Sequence, residues 1–162
     1  VQDQSADKPP YSGRVRKEEL LMSDERSEWV LVVDDDIQNL KVASRILSAR
    51  GIKVSCLASG SDAVNFLAEN KPDLVLLDVH MPEMDGFETM RLLQENSGTA
   101  KIPVILLTAD EDSETEARGL RSGARDFIKK PFVPEVLVLR TQNIIELERY
   151  RAKYAADAPA IV

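Results

Sequence analysis

The sequence predicts an α/β fold, a doubly wound parallel sheet with helices on both faces, and three observations carry that prediction. Five short apolar runs recur along the chain, segments of helical period separate them, and the runs are apolar throughout instead of alternating. Uninterrupted runs suit strands covered on both faces, because a strand with one wet face alternates polar and apolar residues. Regular strand and helix alternation calls for right-handed crossovers, which set helices on either side of a parallel sheet.

The first run, Val30 to Val33, follows Trp29 and stops at Asp34-Asp35-Asp36. Asp36 is read as the cap of a helix whose stripe is Ile37, Leu40, Ala43, Ile46 and Leu47, ended by Gly51. Val54 to Leu57 is the second strand, with Cys56 expected as an inert core residue. Ala63, Val64, Phe66 and Leu67 mark the second helix, which ends before Pro72. Leu74 to Leu77 is the third strand, followed by Asp78 and the turn His80-Met-Pro-Glu-Met-Asp-Gly86. Phe87, Met90, Leu92 and Leu93 form the third helical stripe. Val104 to Leu107 is the fourth strand, and a weak, charged helix marked by Ala117 and Leu120 runs on to Gly123. Asp126 to Ile128 is the fifth strand; after Pro134 a fifth helix runs to about Tyr154, longer than the core requires.

Length and composition limit what surrounds this pattern. The 162 residues fit one domain with tails, and 43% hydrophobic content supports a core. Net charge is 21 minus 28, or −7, with no block of Lys and Arg, so direct nucleic acid binding by this segment is not expected. A single cysteine excludes an internal disulfide and leaves a cysteine-based zinc site without partners, which suits a reducing, cytoplasmic setting. No apolar run approaches the ~18 residues that span a bilayer, and the first twenty are polar where a signal peptide needs an apolar stretch. Residues 1–27 read as a flexible extension or linker, with Arg16 to Met22 the one candidate helix within it. Residues 151–162 read as a helix end and tail. Val1 in place of methionine suggests an excerpt or processed product, while Met22 could equally be a natural start.

In a parallel sheet all carboxyl ends lie on one rim, so the ends of four strands converge there: Asp34-Asp35-Asp36, Asp78, Thr108-Ala109 and Lys130-Pro131. Carboxylates gathered so closely repel one another and pay desolvation, and each is driven toward its neutral form unless a cation intervenes. Oxygen-only ligands with room for water suit Mg²⁺, with Mn²⁺ an acceptable substitute. Lys130 adds a fixed positive charge. Between metal and lysine Asp78 can stay ionised as a nucleophile, while the cations offset the charge of an incoming phosphoryl group and Thr108 donates to one of its oxygens.

The segments LVVDDD, LLDVHMPEMDG, VILLTAD and FIKKPF, in that order and spacing, resemble the receiver domain of two-component response regulators. The resemblance covers about residues 29 to 150, so residues 28–150 are assigned to a receiver domain. It implies a flavodoxin-like (βα)5 sheet of order 2-1-3-4-5, an arrangement long known from the chemotaxis member of the family. It also implies phosphoryl transfer to Asp78 from a histidine kinase or histidine phosphotransfer protein, or from a small phosphodonor.

Position by position, the resemblance makes Asp34 and Asp35 the acidic pair that organises Mg²⁺, Asp35 directly and Asp34 largely through water. Asp78 becomes the phosphoacceptor and a further metal ligand, and His80 gives the metal its backbone carbonyl. Thr108 is the switch hydroxyl, Phe127 the aromatic that swings inward with it, and Lys130 the grip on the phosphoryl group. Ala109 is small enough to leave the phosphoryl entrance open, and the bond before Pro131 is expected to be cis. The side chains of His80 and Asp110 stand where they could tune dephosphorylation, although a surface histidine is commonly only a polar residue. Lys129 reads as a solvated neighbour.

The leading function is thus a phosphorylation-activated signalling switch that works through the surface of its fourth helix, fifth strand and fifth helix, with a homodimer through that surface as an option. It is not an enzyme acting on other molecules; it catalyses only its own phosphorylation and dephosphorylation. Two alternatives remain at this stage. A haloacid-dehalogenase-like Mg-dependent phosphatase would want a second acid at His80 and a cap domain for which there is no spare length. A receiver that is never phosphorylated would act purely as an interaction module. The Leu147, Tyr150, Tyr154 stripe points to docking or a continuing helix. The output domain, cognate kinase and oligomeric state are not written in these residues.

Overall fold

A computed structural model describes residues 27–109 and 113–157. The chain alternates strand and helix throughout: β1 (Trp29–Val33), α1 (Ile37–Ser48), β2 (Lys53–Leu57), α2 (Gly60–Glu69), β3 (Leu74–Asp78), α3 (Gly86–Glu95), β4 (Val104–Thr108), α4 (Ser113–Arg121), β5 (Asp126–Lys129) and α5 (Pro134–Asp157). All strand pairs are parallel, in the order β2-β1-β3-β4-β5. The chain order reverses between β1 and β3, the switch point where such sheets open a crevice at their carboxyl ends.

β1, β3 and β4 are buried almost throughout, as their unbroken apolar sequences require. Successive side chains feed two separate cores. Val30, Val32, Leu74, Leu76, Ile105, Leu107 and Ile128 pack with α1 and α5, whereas Leu31, Val33, Val75, Leu77, Leu106 and Phe127 pack with α2 and α3. Each fully buried Val, Leu or Ile side chain contributes about 1.5–3 kcal/mol. The helices are punctuated as the sequence suggests. Asp36, Ser59 and Asp85 each accept a backbone N–H at a helix start, and Gly51 and Gly123 take the left-handed backbone that lets the chain turn away from α1 and α4.

Three expectations need correction. Cys56 is exposed, because β2 is an edge strand and α1 leaves an open groove of about 470 Å³ beside it, lined by Ile37, Leu40, Lys41 and Ser44. Ile37 is 61% exposed: standing directly after the cap, it precedes the turn at which α1 reaches the sheet. Leu120 is 51% exposed, and the α4 residue that meets the core is Gly119. The fifth helix continues past Tyr154 to Asp157. Among the described residues no helix is long and apolar enough to cross a membrane. The candidate helix at Arg16–Met22 lies outside the described residues.

Candidate functional site

Four strand ends and the loops that follow them build the site. Asp34 leaves β1 with its backbone N–H still bonded to Leu57 O at 3.1 Å, so the β1–β2 pairing carries it into position. Its side chain is wholly buried. One carboxylate oxygen accepts from the Asp36 N–H at 2.9 Å, and the other accepts from Asn39 Nδ2 at 3.2 Å. Asp35, the next residue, is exposed.

Asp78 is the last residue of β3 and is 3% exposed. Its Oδ1 accepts a long contact, 3.4 Å, from the His80 N–H. The loop beyond it is pinned by Val79 N–H to Leu107 O at 3.0 Å and Gly86 N–H to Val79 O at 2.8 Å. Gly86 is required here for closeness: a Cβ would sit 2.4 Å from Asp78 O and 2.8 Å from Val79 Cα. In the same loop Glu83 adopts φ 66°, a left-handed backbone uncommon for a residue with a side chain.

Lys130 joins the two buried acids. Its Nζ lies 2.7 Å from Asp34 Oδ2 and 2.9 Å from Asp78 Oδ1, and its backbone N–H is held by Thr108 O at 2.8 Å. The Lys130–Pro131 peptide is cis. Burial would pull the Lys130 ammonium down, but bonding to Asp34 and Asp78 outweighs it and the group is raised. Asp78 is pushed up to about 6, first by burial; Lys130 opposes this and the Asp34 charge adds to it.

Carboxylate oxygens of Asp34, Asp35 and Asp78 all lie within 4.8 Å of one another. This set can hold a metal ion. Hard oxygen donors, two of them buried and one open to solvent, fit a small divalent cation that keeps part of its water, and that charge would oppose the burial and the Asp34 charge that raise Asp78.

Thr108 ends β4 and is 4% exposed; Ala109 beside it is exposed, and so are His80 and Lys129. Phe127 on β5 is 5% exposed, with its ring turned into the sheet-facing side of α4. A Cβ on Gly119 would sit 2.1 Å from Phe127 Cζ. A groove of about 380 Å³ opens beside these residues, lined by Thr108, Glu116, Phe127, Lys129, Val133 and Val136. Asp110 lies outside the described residues. The structure thus brings Asp34, Asp35, Asp78 and Lys130 together, and it places Thr108 on the adjoining strand end.

Three contributors were not read from the sequence. Asn39 steadies Asp34 from the first turn of α1, and only its spacing of five residues hinted at that. Gly86 reads from the sequence only as the end of a turn, and Gly119 only as part of the weak, charged fourth helix. A glycine inside a helix costs about 1 kcal/mol against alanine, and that is the signal by which Gly119 could have been found.

A parallel 2-1-3-4-5 sheet with an acid cluster and a lysine at its carboxyl rim defines a receiver. The model of the response regulator receiver domain matches residues 30–142, and the chain belongs to that family, the phosphorylation-controlled switch modules of two-component signalling. Among curated relatives, it is 36% identical over 137 residues to the DNA-binding response regulator MtrA of Mycolicibacterium smegmatis, covering 85% of this chain and 56% of that protein. It is 39% identical over 118 residues to the response regulator PleD of Caulobacter vibrioides, covering 73% and 26% respectively. Among solved structures, a putative response regulator from Chloroflexus aurantiacus superposes with a TM-score of 0.72 at 32% identity, over 75% of this chain and 99% of that one. The signal receiver domain of a signal transduction histidine kinase from Syntrophus aciditrophicus gives 0.69 at 36%, over 74% and 91%. The chain spans about half the length of the mycobacterial relative and a quarter of PleD.

Proposed function

We propose that Asp78 is the phosphoacceptor of this receiver, charged in a Mg²⁺-dependent reaction by the phosphohistidine of a histidine kinase or histidine phosphotransfer protein. The observation that carries this reading is Lys130 Nζ at 2.9 Å from Asp78 Oδ1, inside a cluster whose three carboxylates come within 4.8 Å. Asp34, Asp35, Asp78 and the His80 carbonyl would hold the metal, with Mn²⁺ able to replace Mg²⁺; when bound it supplies charge neutralisation for the phosphoryl oxygens.

The rest is done by the chain. A carboxylate oxygen of Asp78 attacks phosphorus, the new O–P bond forms as the N–P bond breaks, and the departing imidazole keeps the electron pair and takes a proton from water. Asp78, whose pKa of about 6 keeps it mostly ionised at neutral pH, is available for that attack. Lys130 exchanges part of its contact with the carboxylates for a phosphoryl oxygen, and Thr108 donates to another. Ala109 leaves the approach open. Hydrolysis reverses the bond change, with water attacking phosphorus and Asp78 leaving, at a rate tuned by His80 and Asp110.

Because Thr108 and Phe127 border the groove between α4, β5 and α5, movement of Thr108 toward a phosphoryl group would shift that surface between two pre-existing states. The surface would then select a partner or output domain, or a homodimer. The receiver acts catalytically only on itself, works in the cytoplasm, and leaves any nucleic acid contact to other segments.

Acetyl phosphate with Mg²⁺ should label the wild-type chain at one site, and chelation of the metal should stop the labelling. Asp78→Asn should abolish it. Labelling of Asp78→Asn at the normal rate would overturn the assignment.

A further inference from the structure

α5 is apolar on two sides. Leu137, Val138, Thr141 and Ile145 face the sheet and are buried, as a covering helix demands. On the opposite side Val136, Leu139, Leu147, Tyr150 and Tyr154 are 38%, 51%, 42%, 57% and 59% exposed. Arg149 reaches Asp73, the residue before β3, and Glu148 reaches Arg125, the residue before β5, so by that point the helix has run the height of the sheet. The remaining turns from Tyr150 to Asp157 extend about 12 Å past it. The described side chains from Tyr150 to Ala155 are all exposed.

The stripe that leads into this projecting segment has the spacing of a coiled-coil seam. Leu147, Tyr150 and Tyr154 are separated by three and then four residues, and the rings of Tyr150 and Tyr154 lie 4.5 Å apart along one face. The flanking positions are charged and of opposite sign. Glu146 precedes the first seam residue and Arg151 follows the second, and in a parallel pair these are the positions that meet across the seam, Glu146 of each copy with Arg151 of the other. An antiparallel pair centred on this stretch would bring the two Arg151 side chains together. Arg151 is available for exchange, since its contact on its own helix, Glu148, is 3.4 Å away and Glu148 is held at 3.1 Å by Arg125.

We infer that this segment of α5 pairs with the same segment of a second copy as a parallel two-stranded coil, with Leu147, Tyr150 and Tyr154 at the seam and Glu146 matched to Arg151 across it. The pairing starts at the lower edge of the sheet and continues below it, at the opposite end from Asp78, and does not depend on phosphorylation. Three seam layers give a weak contact, so the dimer is concentration-dependent.

Sedimentation equilibrium of the full chain without phosphodonor tests this. A reversible dimer is expected. E146R and R151E should each weaken it about tenfold by setting like charges together, and the E146R/R151E double variant should restore it, since the pairs are re-formed with reversed sign. Circular dichroism of each variant should match the wild type, because both residues are exposed. With Cys56→Ser to remove the native thiol, Tyr154→Cys should form an inter-chain disulfide on mild oxidation, as expected for a seam position that faces its own copy only in a parallel pair. A monomer at every concentration overturns the inference, as does a dimer indifferent to both reversals, which would place the contact elsewhere, or an absence of the Tyr154→Cys crosslink.

Discussion

At the scale of single residues, the site is an arrangement for keeping two carboxylates where water alone would not. Asp34 is wholly buried and Asp78 nearly so, and Lys130 sits between them at 2.7 and 2.9 Å. Breaking a buried ion pair by removing one member leaves an uncompensated charge, which costs about 3–5 kcal/mol. Lys130→Met should therefore lower the unfolding free energy of the metal-free chain, measured by urea titration, by that order, with part of the loss recovered as one of the two acids takes up a proton at lower pH. Millimolar Mg²⁺ should recover more stability in Lys130→Met than in the wild type, since it restores a cation between the same oxygens. Equal midpoints for the two proteins without metal would mean that the lysine is not what makes the acid cluster tolerable.

At the scale of elements, α4 and β5 meet through a gap only glycine can leave. Gly119→Ala would ordinarily strengthen a helix by about 1 kcal/mol. Here the added Cβ would lie 2.1 Å from Phe127 Cζ and 2.8 Å from Leu106 Cδ1. Overpacking of this kind costs about 1–3 kcal/mol, so the variant should be less stable despite its better helix propensity. The tightest clash is with the Phe127 ring, so Gly119→Ala combined with Phe127→Leu should lose less than the sum of the two single changes; strict additivity in that double-mutant cycle would rule the contact out. This contact also marks the limit of what could be read from sequence. Strand runs such as Leu74–Leu77 and caps such as Asp36 were legible because each carries its own periodicity or local hydrogen bond. The rim acids and Lys130 were legible because a parallel sheet gathers strand ends wherever the strands lie. Cys56 was misread because nothing in Val54–Leu57 distinguishes an edge strand from a central one. Leu120 was misread because a short, charged helix has too few apolar residues to say which side faces inward.

At the scale of the whole molecule, the chemistry of Asp78 is linked to the stability of the fold. Its carboxyl is pushed from an ordinary 3.8 up to about 6, chiefly by burial. The folded chain thus keeps a proton that the unfolded chain releases at lower pH, so this group's contribution to stability falls as pH rises from about 4 to 6, and its full destabilisation is in place above about 6. The displacement corresponds to about 3 kcal/mol at most. Asp78→Asn removes the charge and keeps the shape, so at about pH 8 without metal it should be about 1–3 kcal/mol more stable than the wild type, and the two should converge near about pH 4. If Asp78 is a metal ligand as proposed, Mg²⁺ should reverse the order at neutral pH, because binding to the folded state stabilises the wild type in proportion to the logarithm of metal concentration and would lose a ligand in the variant. Urea unfolding at several pH values, with and without Mg²⁺, measures both effects. A constant separation of the two proteins from about pH 4 to 8 would show that Asp78 is not raised by its burial.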